Sequence, residues 1–357
     1  MKAETATGDA TSGSERKKRA GQRLLVGLVG PELSTLEREV YQKIDPAGYL
    51  LPASILQRPA YARQLIHELT RLSTSRVPPH FAVDGEGGRV WRLSSKWPSP
   101  AQMARNNVLM VDIVKAMASE ICAIGINLNF APVVEKTTPM LSDRAFSSDG
   151  PVGAEAAKIF IQNMQGAGLS ATAKHFPGHS QNNKDPHSDT VVSDLSAEEI
   201  VRTLLPPFRK AITAGVDCIM AAHTTFEKID PYAPASISSV IIPTFLRKKL
   251  GFSGVVVTDD LCMSAVQSVA TYNQAVEGAT RGDIDLMLVV HGIEAQFLTY
   301  EALIHQEERN PQQAFVSSQR LNALKLNTRK NRAPPPPLNV IDSPAHRRLS
   351  EQLLQLE

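Results

Sequence analysis

The chain has 357 residues, and its 38 Lys plus Arg against 36 Asp plus Glu leave a formal charge of +2. That balance excludes a nucleic-acid binder held by a broad basic field and a polybasic membrane-surface protein, and 42% hydrophobic with 21% charged residues excludes a disordered chain. Cys122, Cys218 and Cys262 stand far apart with no CxxC pair, so they are read as core thiols of a reducing compartment, not as a disulfide, zinc or redox framework.

In chain order, residues 1–22 are rich in Ala, Thr, Gly, Ser, Lys and Arg and lack the apolar core of a signal peptide. A disordered tail and a cytoplasmic location are the expectations. Short apolar, β-branched runs then recur at 24–29, 47–51, 80–83, 127–131, 170–173, 218–221, 254–258 and 285–289. Stretches of helical period separate them at 59–73, 110–124, 151–167, 197–214, 241–250 and 264–281. Ser34 with Glu37, and Ser196 with Glu199, have the spacing of capping boxes. The runs are continuous, not alternating, which implies strands covered on both faces. Eight of them, each followed by helix or loop, predict an α/β fold: a (β/α)8 TIM-like barrel forming a single catalytic domain over residues 23–330. A doubly wound sheet needs no eighth strand. Gly30-Pro31-Glu32-Leu33 follows the first strand in place of Gly-x-Gly-x-x-Gly, so no dinucleotide cofactor is expected. Residues 331–357 read as a Pro-rich linker, stiffened by Pro334 to Pro337, and a short C-terminal helix.

Polar residues gather just after the predicted strands. Asp84-Gly85-Glu86-Gly87-Gly88-Arg89 follows the third, Asp143-Arg144 lies beyond the fourth, and Lys174-His175 closes the fifth. His223 follows the sixth, Asp259-Asp260 the seventh and His291 the eighth. In a barrel these ends share one face, and charged or imidazole groups at six of eight ends call for a ligand. Asp259 and Asp260 are neighbours, so only one points inward along a strand. Asp259 is assigned to the barrel mouth, and Asp260 to the start of the next helix as a cap. In the loop after the fifth strand, Asp185 and His187 can meet across one residue. A carboxylate beside an imidazole fixes its tautomer and raises its basicity, which suits proton exchange near neutral pH. His179 is read as loop packing. No His-Glu-x-x-His spacing is present and Lys174 adjoins His175, so no metal and no other cofactor is expected.

Taken together, Lys174-His175-Phe176-Pro177-Gly178-His179 with Asp185-x-His187, Asp84-x-Glu86-Gly87-Gly88-Arg89-Val90-x-Arg92, and Asp259-Asp260-Leu261-x-Met263 resemble glycoside hydrolase family 3. The likeness is to its single-domain bacterial β-N-acetylglucosaminidases of peptidoglycan recycling. Asn129-Phe130-Ala131-Pro132-Val133 and Met220-Ala221-Ala222-His223 extend it, in order, across residues 24–300. The resemblance implies Asp259 as nucleophile of a covalent glycosyl-enzyme, His187 as general acid/base and Asp185 as its tuning partner. It also implies Asp84, Arg92, Arg144, Lys174 and His175 as sugar-binding residues, with His223 near the pocket. The expected substrate is a terminal β-linked N-acetylglucosamine on a cell-wall fragment, with no nucleic acid, membrane or protein partner.

The sequence departs from the family pattern at three places. Ser180-Gln181-Asn182 replaces Gly-Asp-Thr, Pro186 replaces Ser between Asp185 and His187, and Glu135 stands where Asp is usual. The first two restrict the backbone of the acid/base loop. The competing readings on the same barrel are a β-glucosidase, a phosphorylase in which phosphate replaces water, and a non-catalytic sugar-binding barrel.

Overall fold

The computed structural model describes residues 12–28, 30–179, 191–331 and 333–355. Eleven strands are defined among them: β1 (Leu24–Gly27), β2 (Gly48–Leu50), β3 (His80–Val83), β4 (Leu128–Asn129), β5 (Ser170–Phe176), β6 (Val191–Ser193), β7 (Cys218–Ala221), β8 (Thr224–Phe226), β9 (Asp230–Pro234), β10 (Val255–Thr258) and β11 (Met287–Val289). Eight of them form one sheet in the order β10-β7-β5-β4-β3-β2-β1-β11. Every pairing in it is parallel. A parallel bridge between Val257 and Leu286 joins β10 to the chain entering β11 and brings the two ends of the sheet together. The predicted barrel is the observed one, and its eight strands fall on the eight apolar runs.

The core has two layers, as expected for strands covered on both faces. Leu25, Ala82, Leu128, Cys218, Val255 and Leu288 fill the barrel interior. Leu24, Val26, Phe81, Val83, Ile219 and Val256 pack outward against the helices. The helix Pro311–Asn331 closes the end where the strands begin. Its Leu321 and Leu324 join the interior cluster, and Thr328 Oγ1 lies 2.8 Å from Ser170 Oγ at the start of β5. No helix among the described residues is long and apolar enough to cross a membrane.

Three expectations need correction. Residues 13–21, placed in a disordered tail, form a helix capped by Ser12. Ala20 is buried there, and Arg19 pairs with Glu307 at 2.8 Å. The tail's polar composition concealed a short face that docks on the helix Ile293–Arg309. The stretch 264–281 is two helices, Ser264–Gln267 and Tyr272–Arg281, because Thr271 opens a new capping box with Gln274. Ile242–Lys249 winds as a π-helix, a local change of pitch that apolar periodicity does not encode.

Candidate active site

The pocket lies where the strands end. Asp84 leaves β3, Lys174 and His175 belong to the last residues of β5, Asp259 leaves β10, and His291 follows β11. Together with Arg92 and Arg144 these side chains line a cavity of about 430 Å³. Alternation along a strand would turn only one of Lys174 and His175 inward. A register shift in the β5–β7 pairing between Lys174 and Phe176 breaks the alternation, and both residues reach the pocket.

Glu86 is the electrostatic centre of one wall. Its fully buried carboxylate accepts Arg144 Nε at 2.9 Å and Arg144 Nη2 at 2.8 Å, a bidentate fork. Lys174 Nζ approaches Glu86 Oε1 at 2.8 Å and Asp84 Oδ1 at 3.1 Å. Burial alone would raise the Glu86 pKa. The ammonium and guanidinium override it and hold the group down at about 2. Two cations are thereby fixed in a buried place, with N–H groups left to serve a neutral polar ligand. Glu86 was not among the residues expected to bind the sugar. The signal was its spacing: two residues beyond Asp84, on a segment still extended from β3, it faces the same side.

Asp259 is half-buried at the foot of the pocket. Burial pushes its carboxyl up, but His223, His175, the backbone N–H of Asp260 and Lys174 bring it down to about 2. It is therefore ionised at neutral pH without being locked in a salt bridge, and among the described residues its one close hydrogen bond is from Asp260 N at 2.8 Å. Asp260 also lines the pocket, and its role differs from the helix cap expected. Its Oδ1 accepts Cys262 N at 3.0 Å and Val290 N at 2.9 Å, tying the turn after β10 to the end of β11. The next helix begins at Ser264 with no side-chain cap.

His223 sits behind Asp259 and is not among the pocket's lining residues. Its Nε2 donates to the Asp260 carbonyl at 2.8 Å, since a carbonyl only accepts, and its Nδ1 takes the Ser236 hydroxyl at 2.6 Å. Burial lowers its pKa, and its two hydrogen bonds fix the tautomer that carries the proton on Nε2. Its contacts steady the Asp259–Asp260 backbone.

Glu135 gathers the start of the next loop. It accepts the backbone N–H of His175 at 2.9 Å and of His179 at 2.5 Å. Nδ1 of His175 lies 2.9 Å and Nδ1 of His179 3.1 Å from the same carboxylate. Burial, which would raise it, is overcome by the two histidines, and Glu135 lies well below the usual carboxylate range. The three residues place a carboxylate and two imidazoles within 4.8 Å of one another, a donor set that suits a divalent ion. The backbone N–H groups it also accepts make Glu135 a hydrogen-bond hub for the chain entering residue 180. His179, read as loop packing, is part of that hub. Asp185 and His187 lie outside the described residues.

Comparison with known proteins agrees with this geometry. Residues 21–322 match the Glycosyl hydrolase family 3 N terminal domain. A beta-hexosaminidase of Xylella fastidiosa (strain M23) is 35% identical over 283 residues, covering 75% of this chain and 83% of the relative. The solved glycoside hydrolase family 3 beta-N-acetylglucosaminidase from Paenibacillus sp. str. FPU-7 superposes with a TM-score of 0.87 at 30% identity, over 94% of this chain and 68% of that one. A solved beta-glucoside phosphorylase, BglX, shares the fold at 19% identity, with a TM-score of 0.82 over 94% of this chain and 63% of that one. A parallel barrel with a half-buried, ionised aspartate and a ring of polar donors at its strand ends, in a chain so matched over most of its length, belongs to glycosyl hydrolase family 3 and is a glycoside hydrolase.

Proposed function

We propose that the enzyme is a retaining exo-β-N-acetylglucosaminidase that removes terminal β-linked N-acetylglucosamine from cell-wall fragments through a covalent glycosyl-enzyme. The carrying observation is Asp259: half-buried, held at a pKa of about 2, and facing a pocket whose polar groups can donate to or accept from a neutral sugar. In this reading the Asp259 carboxylate attacks the anomeric carbon. Asp84 accepts from ring hydroxyls, while Arg92, Arg144, Lys174 and His175 donate to hydroxyls and to the acetamido carbonyl.

Retention needs a second group that gives a proton to the leaving oxygen and then takes one from water. Glu86 is unsuited, since Arg144 and Lys174 keep it ionised. Asp260 is held by two backbone N–H groups. These occupied carboxylates support assigning the acid/base to His187, with Asp185 orienting it. The names of the hexosaminidase relative and the Paenibacillus structure support the acetamido sugar.

The test is a panel of aryl β-N-acetylglucosaminide, glucoside and xyloside, each with and without phosphate. Buried donors built for an acetamido group are left unpaired by a plain glucoside, so it should be rejected by roughly 10³-fold or more in kcat/KM. Equal turnover of the two sugars, or strong acceleration by phosphate, would overturn the assignment.

A further inference from the structure

The C-terminal arm, residues 333–355, lies beyond the family match, which ends at residue 322, yet it reaches the loop that lines the pocket. The connection runs through one carboxylate. Glu120, on the helix Asn107–Ile124, is fully buried. Its Oε2 faces the loop after β3, accepting Trp97 Nε1 at 3.1 Å and the Ser95 hydroxyl. Its Oε1 faces the arm, accepting Asp342 N at 2.9 Å and His346 Nδ1 at 2.8 Å. The His346 ring also leans on Trp97, with centroids 5.6 Å apart.

From Trp97 the chain of contacts leads to the pocket. Its carbonyl accepts Gly88 N at 3.1 Å, within the turn between Glu86 and Arg89. Trp91 Nε1 donates to Ser95 Oγ at 3.0 Å, and the next residue, Arg92, lines the cavity. Four donors converge on Glu120, two from each partner, so the loop and the arm each hold the carboxylate in place for the other.

We propose that the C-terminal arm is a positioning element for the sugar-binding loop, with His346 acting through Glu120 to hold Arg92 and the Gly87-Gly88 turn in their binding geometry. This rests on the reading that the loop after β3 grips the terminal sugar. Trp91 and Trp97 are the only tryptophans of the chain, so tryptophan emission, excited selectively over tyrosine, reports on this loop alone.

The experiment compares the full-length wild type, His346→Ala, His346→Asn and Glu120→Gln. KM and kcat are measured with an aryl β-N-acetylglucosaminide, and acrylamide quenching of tryptophan is followed in parallel. Losing one hydrogen bond to a charged group should raise KM about 5- to 10-fold in His346→Ala, with kcat within about twofold of wild type. Quenching should increase. An asparagine Nδ2 stands where the imidazole Nδ1 stood, so His346→Asn should restore both. Glu120→Gln presents a donor to one pair of donors and should show the larger effect. Should it fail to fold, His346→Ala, at a half-buried position, still decides. Unchanged KM and quenching in His346→Ala, even with a lowered melting temperature, would make the arm merely structural and overturn the proposal. A wild type that turned over no N-acetylglucosaminide would instead overturn the proposed function, and this inference with it.

Discussion

Two carboxylates, Asp259 and Glu86, share a pKa of about 2 for different reasons, and their substitutions should separate. Asp259 is the proposed nucleophile, so Asp259→Ala should abolish turnover of every substrate. In the proposed mechanism His187 is needed in the first step only to protonate the departing oxygen. His187→Ala should therefore slow single-turnover cleavage of a disaccharide far more than that of a nitrophenyl glycoside, whose leaving group departs unaided. General-acid assistance is worth about 10²- to 10⁴-fold, which sets the size of the gap. Equal slowing of both substrates would remove His187 from the role. Glu86→Gln removes the carboxylate that pairs Arg144 and leaves Lys174 only Asp84. Removing one partner of a buried pair costs about 3–5 kcal/mol, so the urea midpoint should fall and KM should rise. The sequence made Asp84, Lys174, His175 and Asp259 legible because each sits at the end of an apolar run. Glu86 and Glu135 were less so, because what marks them is not their residue type but the cations and N–H groups they satisfy, and those come from 40 to 88 residues away.

At the scale of elements, the loop after β3 depends on two glycines. Gly87 and Gly88 have φ of +102° and +55°. A Cβ on Gly87 would stand 2.5 Å from the Pro98 carbonyl oxygen, and one on Gly88 2.8 Å from Ser99 Cβ. Gly87→Ala therefore incurs both left-handed strain and a backbone clash. A loss of about 1–3 kcal/mol is expected from the strain, together with a raised KM, since Arg92 and Glu86 flank the turn. Urea unfolding and steady-state kinetics check both, and an unchanged KM would show that the turn does not position the loop. The eight strands were readable because each apolar run is short and β-branched and is followed by helix or loop, as suits a strand covered on both faces. The helix Gly13–Gly21 was not, since its burial rests on Ala20 and Gly21. Two small residues carry almost no hydrophobic pattern.

The whole molecule places its most strongly perturbed acids at one end, and this makes the active site the acid-sensitive end of the barrel. Glu86 falls from an ordinary 4.5 to about 2, Asp259 from 3.8 to about 2, and Glu135 is also lowered. For each, the unfolded chain binds a proton at a higher pH than the folded one. Between about pH 4.5 and pH 2 the unfolded state therefore carries more protons, and stability falls as pH falls. Above the unfolded values the contribution is complete, so these groups add no slope between pH 7 and pH 5. Urea midpoints measured from pH 7 to pH 3 should be level at first and then drop steeply below about pH 4.5. Glu86→Gln supplies the control. Glutamine does not titrate, so the variant should begin less stable at pH 7 and lose less on acidification, and the two curves should converge toward pH 3. Parallel curves would show that the Glu86–Arg144–Lys174 cluster is not what holds the acid limb, and that the barrel's response to acid is set elsewhere.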